Sequence, residues 1–415
     1  MRIGIFSETY APYISGLVTS EIMLKKALEK LGHEVYVVTA NLESFHYEYD
    51  EEEKILKIPG IPTGIYDARL TSIYPIKAIN KIKAWNLDVI HSQTEFAIGS
   101  FARLFAKQYN IPIVHTYHTM YEDYVHYITK GHFNKSSKKI VEYLTKFYCD
   151  KTITELIVPT KKAYDLFKEK YNVERNIHII PTGIEIERFY KEKLKKEKIL
   201  SLKKELGLLN SNVILYLGRI SLEKRIDFLI KNQVNLIKKI NNSKLLIVGD
   251  GPELEEYKKL VSKLKIEDSV IFTGKVPWDE VPYYYAISDV FATNSDFETQ
   301  GLTVIEAMAA GLPVVALDDD AFRNVVIDSL TGYLFKNKKD YLNVMFKLFQ
   351  DKKIIERIGN QARINAETYS SKYFAERVLS VYRLALKGRN KNKSFISRFK
   401  NIIKKGIYGK QNNCW

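Results

Sequence analysis

The segment Glu298-Thr299-Gln300-Gly301-Leu302-Thr303-Val304-Ile305-Glu306 runs into an apolar, helix-forming stretch, Ala307-Met308-Ala309-Ala310. Two carboxylates bracket a glycine. Gly301 permits a tight turn and a close backbone approach to a ligand. A helix beginning near Leu302 directs unpaired N–H groups, and the positive end of its dipole, toward an anion. The combination suits a sugar joined to a diphosphate, with one carboxylate for sugar hydroxyls, amides for phosphate and the other carboxylate for ribose. Read alone, the same residues also describe a loop, a core helix and two solvated acids. The surrounding chain decides between them.

Outward from this segment, the second half of the chain reads as a parallel α/β domain. Val213 to Gly218, Lys244 to Gly249, Val270 to Phe272 and Pro313 to Ala316 are apolar runs of strand length with helical patterns between them. The first half repeats the scheme. Arg2 to Ser7 is a strand, Thr19 to Leu31 a helix stopped by Gly32, and Glu34 to Thr39 a second strand. Leu87 to His91, Ile113 to Thr116, Leu156 to Pro159 and His178 to Pro181 continue it. The expected class is α/β, with two Rossmann-like domains in series. The boundaries read as residues 1–190, a lysine-rich linker 191–209, a second domain 210–371, a crossing helix 372–387 and a tail 388–415. Neither domain has G-x-G-x-x-G at its first strand–helix turn, which argues against a nicotinamide dehydrogenase. In such sheets ligands bind at the carboxyl ends of the strands.

Gly218-Arg219-Ile220-Ser221-Leu222-Glu223-Lys224 follows the second domain's first strand. Arg219, as a fork, and Lys224, as a point charge, suit a diphosphate; a surface ion pair with Glu223 is the alternative. Gly249-Asp250-Gly251-Pro252 ends the next strand and supplies a tight turn beside which a nucleotide could pass. Five histidines (His91, His115, His118, His126 and His132) cluster in sequence, but without H-E-x-x-H or a cysteine partner they read as structural or acceptor-facing.

The 415 residues carry a formal net charge of +15. Cys149 and Cys414 form no disulfide framework or zinc spacing, so a cytoplasmic location is expected. The amino terminus enters a strand without a signal-peptide pattern, and no apolar run has membrane-spanning length. From Lys387 to Trp415 there are nine basic residues and no acid, with Phe395, Ile396, Phe399, Ile402 and Ile403 at helical spacing. That pattern predicts an amphipathic anchor lying on an anionic membrane. A nucleic-acid partner is not expected, because no nucleic-acid-binding motif appears.

Taken in order, Gly218-Arg219 to Lys224, Val248-Gly249-Asp250-Gly251-Pro252, Phe272-Thr273-Gly274, and Glu298 to Glu306 followed by Ala309-Ala310-Gly311-Leu312-Pro313 resemble the retaining nucleotide-sugar glycosyltransferases of the GT-B fold, the GT4-type family. Ile5-Phe6-Ser7-Glu8-Thr9-Tyr10, Ser15-Gly16, Tyr117-His118-Thr119, Tyr121 and Tyr124 are similar to the bacterial diacylglycerol glucosyltransferases. Many relatives have Gly-Gly where this chain has Ser15-Gly16, and a glycine-rich turn in place of Asp318-Asp319-Asp320.

The resemblance implies two domains facing across a cleft, UDP-glucose as donor, a diacylglycerol acceptor and no essential metal or other cofactor; galactosyl or mannosyl transfer to a lipid, or a polysaccharide or protein acceptor, are the alternatives. By position, it implies that His118, Arg219, Lys224 and Glu298 carry the chemistry. Gly16, Gly249, Asp250, Val276, Gly301, Leu302, Thr303 and Glu306 would bind the donor, Glu298 on the sugar side and Glu306 on the ribose. It also implies front-face attack rather than a covalent ester on Glu298. Ile73 to Trp85 and Lys135 to Phe147 combine basic residues with an apolar stripe and are expected to face the membrane. The protein is expected to be peripheral on the inner face of the cell membrane.

Overall fold

The computed structural model describes residues 1–13, 16–62, 69–118, 142–143, 145–296, 298 and 300–388. Ser15, Thr119, Tyr121, Tyr124, His126, His132, most of the Lys135 to Phe147 segment and the basic tail from residue 389 lie outside the described residues. The chain forms two compact units, one of Met1–Ile180 plus the chain from Ala375 onward, the other of Pro181–Phe374.

The first unit is built on β1 (Arg2–Ser7), β2 (Glu34–Asn41), β3 (Glu48–Asp50), β4 (Ile55–Pro62), β5 (Arg69–Thr71), β6 (Val89–Ser92), β7 (Ile113–Thr116), β8 (Glu155–Val158) and β9 (Ile177–Ile179). Their order is β3-β4-β2-β1-β6-β7-β8-β9, with β5 added on β4. Only β3 and β5 run antiparallel, both against β4. Beyond Arg2, every residue of β1 is buried, as expected for a strand covered on both faces. β3, β4 and β5 do not appear in the sequence reading: β3 and β5 are three residues each, and the eight residues of β4 include Pro59, Gly60 and Pro62, which read as strand breakers. The order reverses between β1 and β6, so the loops after these strands open at a switch point, the usual place for a ligand.

A closing helix over residues 371–388 returns to this unit. Its Tyr382 hydroxyl lies 2.7 Å from His91 Nδ1, and Arg377 donates to the Ile179 carbonyl. Trp85 departs from its expected membrane-facing role. It is 6% exposed and stacks on Tyr36 at 4.7 Å, so its ring belongs to the core. Ile73 and Ile76, just before and at the start of the helix Ile76–Ala84, are exposed.

The second unit holds a six-stranded, wholly parallel sheet: β10 (Asn212–Leu217), β11 (Ser243–Val248), β12 (Val270–Gly274), β13 (Val290–Thr293), β14 (Val314–Leu317) and β15 (Gly332–Phe335). The order is β12-β11-β10-β13-β14-β15. Alternate residues of β10 feed two cores, Val213 and Leu215 on one face, Ile214 and Tyr216 on the other. β13 and β15 do not appear in the sequence reading. The division falls after Ile180 rather than near residue 190. Ile184, Ile186, Phe189 and Tyr190 pack into the second unit's core, which draws that stretch across.

Candidate active site

In the second unit the sheet order reverses between β10 and β13, and the loops after these strands bring Lys224 and Glu298 together. Lys224 Nζ lies 2.5 Å from Glu298 Oε1, each side chain about one-fifth exposed. This contact joins residues 74 positions apart. A second pair, Arg225 with Asp296 at 2.9 Å, ties the same two loops. Arg219 is exposed at the end of β10 and has no ion pair among the described residues; Glu223 instead accepts from Ser221 at 2.5 Å.

The loops after β10, β11 and β12 are laced by main-chain bonds. Gly218 N–H donates to Val248, Gly249 N–H to Gly274 and Ile220 N–H to Asp250. Gly249 has φ of 141°, and a Cβ there would stand 1.9 Å from the Gly218 carbonyl oxygen. No other residue fits. Asp250 is exposed beyond this turn and Val276 is half-buried after β12.

Gly301 adopts φ of 67° and begins the helix Leu302–Ala309. The Leu302 and Thr303 amides therefore lie in the first helical turn, where intrahelical acceptors are lacking. Glu306, one turn on, is buried. Its Oε2 accepts from the Tyr285 hydroxyl at 2.7 Å, and that hydroxyl is also 3.2 Å from the Thr303 carbonyl. Burial pushes the Glu306 carboxyl up to about 7; the Tyr285 bond and the Arg188 charge oppose that rise.

The first unit's switch point is a dense polar network. Glu8, after β1, accepts from the Ile98 amide at 2.6 Å and from the Thr94 hydroxyl. Burial raises its carboxyl to about 7. His118, after β7, has Nε2 2.7 Å from the Gln93 amide oxygen, so Nε2–H donates and Nδ1 keeps its lone pair. Burial lowers His118 to about 4, leaving the ring neutral near pH 7. Gly16 opens the helix Gly16–Lys30, is exposed, and has open space where a Cβ would stand.

Glu95, His115 and Cys149 place a carboxylate, an imidazole and a thiol within 4.8 Å of one another. The buried Arg103 charge acts on the same acid and thiol, so a cation already sits beside them. Asp318 and Asp320 pair with Arg323 at 2.6 Å, and Asp319 caps the short helix Asp320–Arg323. This acidic run is a local structural device. Tyr285, Gln93 and Gln300 are partners the sequence reading did not single out. Nothing in their local pattern distinguishes them from core or loop residues.

Two Rossmann-type units, with paired charges and a helix amino terminus at the second unit's switch point, are the architecture of a GT-B-type glycosyltransferase. The profile of Glycosyl transferases group 1 matches residues 197–365, and that of Glycosyltransferase Family 4 matches residues 14–188. The chain belongs to this GT4-type glycosyltransferase family, an enzyme of the hexosyltransferase class. It is 36% identical to the alpha-monoglucosyldiacylglycerol synthase of Streptococcus pneumoniae over 94% of this chain and 87% of that one. It is likewise 36% identical to the synthase of that name from Acholeplasma laidlawii, over 92% and 96% of the two chains. Among solved structures, Anabaena HepE in complex with UDP aligns with a TM-score of 0.70 at 18% identity, covering 92% of this chain and 99% of that one. Sucrose-phosphate synthase from Thermosynechococcus elongatus aligns with a TM-score of 0.71 at 19% identity, covering 93% and 99%. Among the described residues no helix is long and apolar enough to cross a membrane.

Proposed function

We propose that this enzyme transfers glucose from UDP-glucose to the 3-hydroxyl of 1,2-diacylglycerol, with retention at the anomeric carbon, on the surface of an anionic membrane. The observation that carries this reading is the near-full-length likeness to two synthases named for that product. The site chemistry supports it. Lys224 and Arg219 neutralise the departing diphosphate, the largest charge to develop in the reaction. The Leu302 and Thr303 amides add anion-binding donors beside the Gly301 turn. Glu298 takes sugar hydroxyls and Glu306 the ribose. Lys224 holds Glu298 in place, an ordered pair for the donor to meet. The Nδ1 lone pair of neutral His118 accepts a sugar hydroxyl.

Attack is from the front face, with the leaving phosphate oxygen taking the acceptor's proton, and no metal is required. A glycosyl ester trapped on Glu298 would overturn this step. The acceptor is lipid, and the exposed Ile73 and Ile76 with the basic tail suit a peripheral enzyme that goes to it. The test presents UDP-glucose and UDP-galactose, each with diacylglycerol or its monoglucosyl derivative, in anionic micelles, with the linkage read by NMR. Glucose transfer to diacylglycerol giving an α-linked product is expected; activity only with galactose, or only with a soluble acceptor, refutes the reading.

A further inference from the structure

Gln300 lies between the two site residues Glu298 and Gly301 and is 7% exposed. Its side-chain amide meets the backbone of Thr182 on both sides. Thr182 N–H donates to Gln300 Oε1 at 2.8 Å, and Gln300 Nε2 donates to the Thr182 carbonyl at 2.9 Å. The pairing imitates one rung of a sheet, with a side chain serving as the second strand. It spans 118 residues of sequence. Asparagine has the same groups but is one methylene shorter, and leucine fills the space without bonding.

Thr182 stands two residues beyond Ile180, where the chain passes from one compact unit to the other. The return passage is next to it. Ile184 N–H donates to the Tyr369 carbonyl at 2.9 Å, and Ser371 N–H donates to the Ile184 carbonyl at 2.8 Å. A Cβ at Gly183 would stand 2.5 Å from that of Phe374, the last residue before the return. The outgoing and returning segments are therefore bonded side by side with no room for a side chain between them. Gln300 ties this double crossing to the loop that carries Glu298.

The geometry points to Gln300 as a positioning residue that couples occupancy of the Glu298 to Gly301 loop to the paired chain crossings at residues 181–184 and 369–374. This rests on the nucleotide-sugar reading of the loop. Any ligand that orders or displaces the loop acts on Thr182 through two buried hydrogen bonds. Breaking them leaves a buried N–H and carbonyl without these partners and lets the loop relax.

Hydrogen exchange with UDP as the probe tests this. In the parent enzyme UDP should protect peptides covering residues 294–301 and also those covering 181–184 and 369–374. In Gln300→Leu the loop should still respond while the crossing peptides do not. The KM for the donor should rise about tenfold with a smaller change in kcat, because ground-state placement is lost rather than the reacting groups. Gln300→Glu keeps the acceptor but loses the donor and should shift the same way. Gln300→Asn adds neither charge nor apolar bulk and serves if the leucine variant does not fold. Crossing peptides that ignore UDP in the parent, or that respond equally in the variants, overturn the coupling. So does an unchanged donor KM. If UDP fails to protect even the loop in the parent, the nucleotide-sugar reading falls and this inference falls with it.

Discussion

Lys224 and Glu298 show how a residue-level reading and a folded geometry divide the work. Sequence position marked each as a candidate, one for phosphate and one for sugar. Their direct contact was not anticipated, and it holds the two side chains as an ordered pair. Lys224→Ala should lower kcat/KM about 100-fold or more, the usual loss when a charge stabiliser of the leaving group is removed. Glu298→Gln should fall similarly, with donor binding measured separately by calorimetry. Glu306 supplies a pH dependence. Its carboxyl is raised to about 7, so it ionises as pH rises through neutrality and becomes a better acceptor for ribose hydroxyls. Donor KM should therefore fall between pH 6 and pH 8, and Glu306→Gln should remove that slope.

The same group has a stability consequence of defined sign. Its folded pKa lies above the unfolded value, so its contribution is fully present below about 4.5 and is lost as pH rises through about 7. His118 acts oppositely, with a folded value near 4 below its unfolded 6.5, so its stabilising share is lost as pH falls through about 4. Because the two partly cancel in the overall melting curve, the comparison must be between variants. The melting temperature of Glu306→Gln minus that of the parent should grow from pH 5 to pH 7.5. A constant difference would show that Glu306 does not titrate in that window.

At the scale of elements, the site depends on turns that only glycine satisfies, for two different reasons. Gly301 needs the left-handed conformation, and a Cβ there would be 2.9 Å from Phe322 Cε1, a side-chain rather than a backbone atom. Gly301→Ala should destabilise by roughly 1–2 kcal/mol from backbone conformation, plus a smaller packing term. Gly249 instead meets the Gly218 carbonyl, part of a laced backbone with nowhere to move. Gly249→Ala should lower the melting temperature more than Gly301→Ala and weaken donor binding as well. Equal effects in calorimetry would mean that the loops are less rigid than their hydrogen bonds indicate. β1, β2, β10 and β11 were legible because apolar residues supply both of their faces. The edge hairpin strands and β13 were not, since their identity comes from the neighbours they pair with rather than from their own pattern.

For the whole molecule, the described fold ends with the helix at residues 371–388, whose Tyr382 and Arg377 anchor it to the first unit. Deleting residues 389–415 should leave thermal stability unchanged while weakening binding to anionic vesicles. That binding should decline with salt, since the Debye length shortens from about 10 Å at 0.1 M to about 3 Å at 1 M. Co-sedimentation insensitive to both lipid charge and salt would refute peripheral electrostatic binding.

Sequence alone determined the α/β class, the two-fold repetition of the sheet motif and the candidates Arg219, Lys224, Glu298 and Glu306. These rest on local signals: apolar runs, glycine turns and charges at strand ends. Tertiary structure decided what such signals cannot carry. It placed Trp85 in the core, buried Glu306 under Tyr285, joined Lys224 to Glu298 and moved the division between the units to Ile180. It also revealed the Gln300 clamp on Thr182. Each depends on residues far apart in the chain meeting in a low-dielectric interior, where burial and exact partners, not residue type, set charge and position.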